Sequence, residues 1–174
     1  LHELEHQVRD MLVFARGDLP LPDRLTPKIL FAALRAAAEP HVQGHAVRWQ
    51  CDSHTGELLC NRDTLVGALL NLVENAVQAA GPQARLKVHL YSRGQQLRLC
   101  ISDNGEGIDS ATLERLGEPF FTTKTTGTGL GVAVVKAVAR AHQGDLLLRS
   151  RPGRGTCAIL TLPLIAAAQP VTQE

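Results

Sequence analysis

The chain lacks an excess of either charge: 18 lysines and arginines stand against 17 aspartates and glutamates, a formal net charge of +1. A nucleic-acid binder gathers a marked basic excess into a patch, and here the basic residues are scattered, so no direct nucleic-acid contact is expected. Cysteine is sparse, and Cys51, Cys60, Cys100 and Cys157 show no C-x-x-C or other metal-ligand spacing. Lying mostly in apolar, strand-like runs, they read as small core residues in a reducing compartment and not as disulfide or zinc sites. No apolar run approaches the ~18 residues that a spanning helix needs, so no membrane contact is expected of these residues. Internal repeats and low-complexity tracts are absent, and the chain opens on Leu1 without a signal-peptide pattern. On these grounds a soluble, cytoplasmic piece of a longer protein is expected.

What is present suffices for one core. The 174 residues are 44% hydrophobic and 20% charged, enough for a single domain and too few for two full ones. Residues 2–16 place Leu4, Val8, Met11, Leu12 and Ala15 at helical spacing, an amphipathic helix in need of a partner. Gly17, Pro20 and Pro22 break it. Residues 1–17 are therefore read as a helical piece, 18–25 as a linker, 26–165 as the folded domain and 166–174 as a flexible tail. Within the domain the pattern predicts helices near 27–39, 62–80, 110–116 and 129–142, and strands near 46–51, 57–60, 85–91, 96–102, 145–150 and 156–162. Strands in antiparallel hairpins with helices between them imply an α/β two-layer sandwich, a mixed, mostly antiparallel sheet covered on one face by helices.

Four blocks carry chemistry. Helix 62–80 is apolar nearly all round, yet Asn71, Glu74, Asn75 and Gln78 fall at i, i+3, i+4 and i+7 and share one stripe. Such a stripe can simply face solvent. Beside a glycine-rich loop, two amides and a carboxylate also suit hard oxygen ligation of a magnesium ion that holds substrate phosphates. Strand 96–102 alternates, and Asp103 continues the phase of Leu97, Leu99 and Ile101 toward the core side, a costly position for a carboxylate unless it meets a donor. Asp103-Asn104-Gly105 alone reads as a turn; followed by Glu106-Gly107-Ile108 it also suits a carboxylate poised for the exocyclic amine of adenine. Gly127-Thr128-Gly129-Leu130-Gly131 opens an apolar helix whose N-terminus offers free N–H groups to phosphate, although a cap or linker has the same look. It fits neither the dinucleotide fingerprint nor a P-loop. Between the two glycine motifs, Thr122, Thr123 and Lys124 lie in a segment able to fold over a nucleotide and bring an ammonium to its terminal phosphates.

In this order and at this spacing the blocks resemble the catalytic ATP-binding domain of bacterial two-component sensor histidine kinases, with its Bergerat-type fold and its wider superfamily of DNA gyrase, a heat-shock chaperone and mismatch-repair ATPases. Asn71-Leu72-Val73-Glu74-Asn75-Ala76 is similar to the N box, Asp103 to Ile108 to the G1 box, Glu118 to Lys124 to the F box, and Gly127 to Gly131 to the G2 box. The resemblance covers residues from about 26 to 163. It implies ATP and Mg²⁺ as cofactors, with Asn75 binding Mg²⁺, Asp103 reading the adenine amine, and Lys124 and the G2 backbone holding phosphates. It also implies that Thr156 supports Asp103. Asn71, Glu74 and Lys124 are the catalytic candidates. Asn71, Asn75, Gln78, Asp103, Gly105, Gly107, Ile108, Thr122, Thr123, Lys124, Gly127, Thr128, Gly129, Leu130, Gly131 and Thr156 are the nucleotide-binding candidates. The run from Pro119 to Gly131 is most similar to sensors of the nitrogen- and flagellar-regulation type, which implies an enhancer-binding response regulator as partner and a homodimeric full-length kinase.

Departures from the pattern are informative. ATP-hydrolysing relatives carry a water-activating glutamate four residues before the magnesium asparagine; this chain has Asn71 there, and an amide cannot take that proton. That favours phosphoryl transfer to a protein side chain over hydrolysis; together with the preceding helix it counts against an anti-sigma-type serine kinase or an ATP-hydrolysing relative of the same fold, and the intact glycines, Asn75, Asp103 and Lys124 count against a module that only docks partners. Gln78 stands where many sensor kinases have a basic residue, and Gly117 where the first F-box aromatic is usual. Helix 2–16 resembles the second helix of the dimerisation hairpin, whose first helix carries the acceptor histidine. His2-Glu3-Leu4-Glu5 lacks the Arg/Lys and Asn-Pro of an acceptor motif, and His6, His41, His45, His54, His89 and His142 are read as structural or exposed.

Overall fold

The computed structural model describes residues 19–118 and 131–167. The elements are β1 (Asp23–Leu25), α1 (Pro27–Val42), β2 (Ala46–Asp52), β3 (Leu58–Cys60), α2 (Arg62–Ala80), β4 (Arg85–Arg93), β5 (Gln96–Asp103), α3 (Ser110–Arg115), α4 (Gly131–Ala141), β6 (Asp145–Ser150) and β7 (Thr156–Pro163). A five-stranded sheet runs in the order β2-β4-β5-β7-β6, and β1 pairs with β3 in a separate two-stranded ladder. β2 lies parallel to β4, and the remaining neighbours are antiparallel, so the sheet is mixed and mostly antiparallel as the pattern predicted.

Strict alternation builds the core. Leu86, Val88 and Leu90 of β4, Leu97, Leu99 and Ile101 of β5, and Ala158, Leu160 and Leu162 of β7 all point to one face and are buried. The helices close over that face with Leu30, Leu34 and Ala38 of α1, Leu65, Leu69, Leu72, Val73 and Ala76 of α2, and Val134, Val135 and Val138 of α4. Each fully buried leucine contributes about 1.5–3 kcal/mol relative to exposure. At the sheet edge Phe31 meets Trp49 edge-on with ring centroids 5.7 Å apart, and the Arg35 guanidinium lies over the same indole. The opposite face is mixed; there His89 Nε2 meets Asp52 Oδ2 at 2.6 Å, Arg98 and Cys100 alternate with the core residues of β5, and Leu147 is exposed beside Ile159.

Three expectations change. Residues 23–25, read as linker, form β1, because Leu25 is buried against the domain and Asp23 accepts the N–H of Arg62 at 2.9 Å. Helix α1 runs on to Val42 instead of stopping near 39, with Pro40 confined to its last turn. Of the cysteines Cys60 is buried in the core and Cys51 packs half-buried against it, whereas Cys100 and Cys157 are half-buried on the open face of the sheet. The amphipathic segment 2–16 and the tail from 168 lie outside the described residues.

His142 is buried, 2% exposed, and joins two helices. Its Nδ1–H donates to the Val138 carbonyl at 2.7 Å, and its Nε2 accepts the N–H of Asn61 at 3.1 Å, a tautomer set by those two partners. Asn61 in turn caps α2, its Oδ1 accepting from the N–H of Thr64. Burial holds the His142 imidazole below the ordinary value of 6.5 despite the Val138 carbonyl. The folded chain thus binds fewer protons at this site than the unfolded chain, so the contribution is complete above about 6.5 and is lost as pH falls from there through the lower folded value. In thermal melts the protein should lose stability as pH falls below about 6.5. His142→Ala should be less stable at neutral pH by about 1–3 kcal/mol, with a flatter pH slope, because the Asn61 N–H loses its acceptor. An unchanged slope would remove this assignment.

Candidate functional site

The site is built where β5 ends and the chain turns through 103–108. Asp103 continues the core phase and is only half exposed, and the donor that its position demands is present twice: the N–H groups of Gly105 at 2.8 Å and of Thr156 at 3.3 Å both donate to Oδ1. Burial pushes the Asp103 carboxyl above its usual range, and those two N–H groups pull it partly back. A desolvated carboxylate held by main-chain donors at a strand end is costly to the fold and useful to a ligand.

The turn is braced on three sides. Asn104 Oδ1 accepts the N–H of Arg85 at 2.7 Å while its Nδ2 donates to the Gln83 carbonyl at 3.2 Å. The N–H of Ile108 donates to Ser150 Oγ at 2.8 Å, Ser150 Oγ donates to the Gly155 carbonyl at 2.9 Å, and Thr156 Oγ1 lies 2.7 Å from the same oxygen. One donor and two acceptors are the whole capacity of a hydroxyl, so Ser150 is fully used. Asp109 closes the segment by capping α3, its Oδ1 accepting the N–H of Thr112 at 2.9 Å. Glycine is required here by the protein's own backbone as much as by any ligand. A Cβ on Gly107 would sit 2.0 Å from the Arg151 carbonyl oxygen, and one on Gly155, at φ +74°, 2.0 Å from that of Asp103.

Helix α2 runs alongside this turn. Its last turn touches it, since a Cβ on Gly105 would meet the Ala79 carbonyl oxygen at 2.6 Å. Two turns earlier the Asn71 amide faces the first described residue of α4, with Nδ2 3.4 Å from where a Cβ on Gly131 would lie. The stripe of Asn71, Asn75 and Gln78 therefore lies between Gly105 and Gly131, half-buried at Asn71 and Asn75 and exposed at Gln78. Glu74 leans to the other side, where its Oε1 meets His41 Nδ1 of α1 at 3.0 Å. Thr122, Thr123, Lys124, Gly127, Thr128, Gly129 and Leu130 lie outside the described residues. At Gly117, where the resemblance leads one to look for an aromatic, the Lys136 side chain of α4 takes the space and its Nζ donates to the Leu116 carbonyl at 3.2 Å. A cavity of about 670 Å³ adjoins the turn, lined in part by Asp103, Leu148, Ser150 and Thr156 of the core phase and by Arg149 and Cys157 of the outward phase.

Asn104, Ser150 and Gly155 are the site residues that the sequence reading missed. Asn104 and Gly155 carried a signal, a turn residue beside Asp103 and a glycine two residues after Gly153. Ser150 carried none, because only the β6–β7 register, which pairs it with Thr156, brings its hydroxyl under Ile108.

This pairing of a main-chain-held carboxylate with an amide-bearing helix, on a sheet with all its helices on one face, defines the class: the catalytic ATPase domain of sensor histidine kinases. The chain belongs to the family described as histidine kinase-, DNA gyrase B-, and HSP90-like ATPase, whose profile matches residues 60–166. It is 79% identical over 168 residues to the sensor protein kinase FleS of Pseudomonas aeruginosa, covering 97% of this chain and 42% of that one. Among solved structures it resembles full-length ShkA in complex with AMPPNP, with TM-score 0.81, 25% identity, and coverage of 97% of this chain and 37% of that one. The catalytic domain of histidine kinase ThkA matches in fold with TM-score 0.73 at 24% identity, over 82% of this chain and 95% of that one. The chain thus spans under half the length of the curated relative FleS. No helix among the described residues is long and apolar enough to cross a membrane.

Gly153 and Gly155 share φ +74°, but only Gly155 has backbone against its missing Cβ. Gly153→Ala should cost about 1 kcal/mol in urea unfolding, and Gly155→Ala at least about 2–4 kcal/mol. Equal costs would show that the close approach to Asp103 is not what keeps Gly155 a glycine.

Proposed function

We propose that the domain binds Mg-ATP between the two glycine motifs and transfers its γ-phosphoryl group to a histidine on a dimerisation hairpin, for relay to a response-regulator aspartate. The observation that carries this is the α2 stripe, stretched between Gly105 at the Asp103 end and Gly131 at the start of α4. From position 71 to 79 a helix rises about 12 Å, close to the reach from a purine to the far phosphates of its triphosphate. The base belongs at the Asp103 end, where a carboxylate accepts the adenine amine beside Gly105, Gly107 and Ile108. The phosphates belong at the helix end, among Gly127, Thr128, Gly129, Leu130 and Gly131, with Thr122, Thr123 and Lys124 closing over them.

Asn75 is assigned to magnesium. Its amide oxygen is a hard, neutral donor, and no group of three or more His, Cys, Asp or Glu among the described residues could hold a metal alone, which fits an ion bound mainly through phosphate and water oxygens. When bound, such an ion neutralises charge on the phosphates. Asn71 and Gln78 orient the polyphosphate from the same stripe, and Thr156 keeps Asp103 in place. Glu74 takes the acid/base or orienting role toward the acceptor. With an amide at position 71 in place of the water-activating glutamate, transfer is favoured over hydrolysis.

The proposal extends to the wider assembly by analogy with the family. Residues 1–17 are assigned to the second helix of the hairpin, 18–25 to the linker, of which Asp23–Leu25 form β1, and 166–174 to a tail; the acceptor is assigned to an upstream helix, and the full protein to a homodimer. Histidine kinase ThkA has been solved with the response regulator TrrA. A response regulator, of the enhancer-binding kind, is the partner assigned here, with a cytoplasmic location for this domain and no direct contact with nucleic acid or membrane.

Calorimetry with Mg-ATP tests the site. Asp103→Asn should keep or raise the melting temperature, because it removes a desolvated charge while Oδ1 still accepts from Gly105 and Thr156. It should weaken ATP binding by about 1.5–3 kcal/mol, roughly ten- to a hundredfold. Mg-ATP failing to bind the folded wild-type chain would overturn the proposal. Adding the upstream hairpin in trans with radiolabelled ATP should place the label on its histidine.

A further inference from the structure

The open face of the sheet carries a pair of thiols beside the Asp103 turn. Register pairs Cys157 of β7 with Ser102 of β5 and with Arg149 of β6, and sets Cys100 two residues from Ser102 on the same face. The Cys100 thiol donates to the Tyr91 hydroxyl at 3.9 Å and shares a hydrogen-bonding interaction with the Cys157 thiol. Cys157 also lines the cavity of about 670 Å³, whose rim holds Arg149, Arg151 and Arg154 against the single carboxylate of Asp103. The groups facing the thiol pair are thus Arg98 and Tyr91 from β5 and β4, Arg149 from β6, and Asp103. The Cys100 thiol, the Ser102 hydroxyl and the Arg149 guanidinium pull Cys157 down to about 6, while the shared hydrogen bond and burial hold Cys100 protonated. Cys60, by contrast, is pushed up to about 11 by burial in the core. A reactive thiolate in an electropositive, solvent-reached cavity is the setting for thiol exchange.

We propose that Cys157 is a thiol-exchange site for small anionic disulfides, and that the adduct loosens the hold of Thr156 on Asp103. The Cys157 thiolate attacks one sulfur of the reagent; a new Sγ–S bond forms as the reagent's S–S bond breaks, and the other half leaves as a thiolate that takes a proton from water. Cys157 is oxidised, one half of the reagent is reduced, and no further oxidant is needed. The arginines receive the reagent's carboxylates. Cys100 acts as hydrogen-bond donor and not as resolving thiol, because diagonal neighbours across antiparallel strands have Cα atoms about 7–8 Å apart, beyond the usual disulfide span. Cys157 follows directly on Thr156, whose N–H donates to Asp103 Oδ1, so bulk added at Cys157 is transmitted to that contact. This second step rests on the nucleotide role proposed for Asp103.

The test treats the chain at about pH 7 with glutathione disulfide and, in parallel, with the cationic disulfide cystamine, followed by intact mass and peptide mapping. The adduct should map to Cys157 and vanish in Cys157→Ser. Cys100→Ala should slow it about tenfold, and glutathione disulfide should react at least about threefold faster than cystamine. No adduct, labelling spread evenly over the four cysteines, or an intrachain Cys100–Cys157 disulfide in its place would each overturn the exchange site; equal rates for the two reagents would overturn the role of the arginines. The modified protein should bind Mg-ATP about tenfold more weakly, with affinity restored by dithiothreitol. Unchanged affinity overturns the coupling to Asp103. An untreated protein that binds no nucleotide overturns the nucleotide reading instead, and the adduct is still read by mass.

Discussion

The carboxylate of Asp103 is the constraint around which the site is arranged. It sits in the apolar phase of β5, so the fold must supply donors, and it does so from two directions: Gly105 two residues on, and Thr156 across the β5–β7 ladder. Those donors reach it only if the backbone of the β6–β7 turn comes into contact with the 103–108 turn, which in turn excludes any Cβ at Gly107 and Gly155. Ser150 completes the contact by spending its single proton and both lone-pair positions on the two turns. One ionised oxygen thus accounts for two glycines, a serine, a threonine and the tight hairpin that carries them.

A second junction holds the helical layer in register with this arrangement. His142, at the end of α4, accepts from the N-cap residue of α2, so the helix that begins near Gly131 and the helix that carries Asn71 and Asn75 are tied at the end of the domain away from the two glycine motifs. At the other end Asn71 already faces Gly131. With both ends of the pair set, the polar stripe of α2 is presented along a fixed gap and not on a free helix surface. That distinguishes it from the solvent-facing stripe that the same spacing could equally have described.

Much of the fold was legible because alternation and helical periodicity are local. The strands β4, β5 and β7 and the helix α2 were marked by residues two or three to four apart, and the core face of each followed from its phase. What stayed hidden depends on long-range register. β1 is three residues long and preceded by prolines, and its identity comes only from pairing with β3, some 35 positions on in the chain. His142 looks like any surface histidine until Asn61, 81 residues earlier, is laid against it. Cys100 and Cys157 looked like core residues because they sit in apolar runs, yet both lie on the outward phase. In the site, the type and spacing of Asn71, Asn75 and Asp103 were visible, but the reason for the glycines was not. At 107 and 155 that reason is the protein's own carbonyls, of Arg151 and Asp103, which only the folded register brings against them.

The period of two along β7 gives its consecutive residues unlike tasks. Thr156 holds Asp103 through its main-chain N–H, Cys157 turns its thiol to the open face and its cavity, and Ala158 returns to the core beneath the helices. A strand so used cannot isolate its two faces, since the peptide that donates to Asp103 is bonded directly to the residue exposed in the cavity. Rigidity elsewhere sharpens this coupling. Ladders on both sides of β7, to β5 and to β6, leave the peptide little freedom to absorb a displacement at Cys157 by sliding along the sheet. The strain passes to the weakest neighbouring contact, and the 3.3 Å bond from Thr156 to Asp103 is the longer of the two that hold the carboxylate.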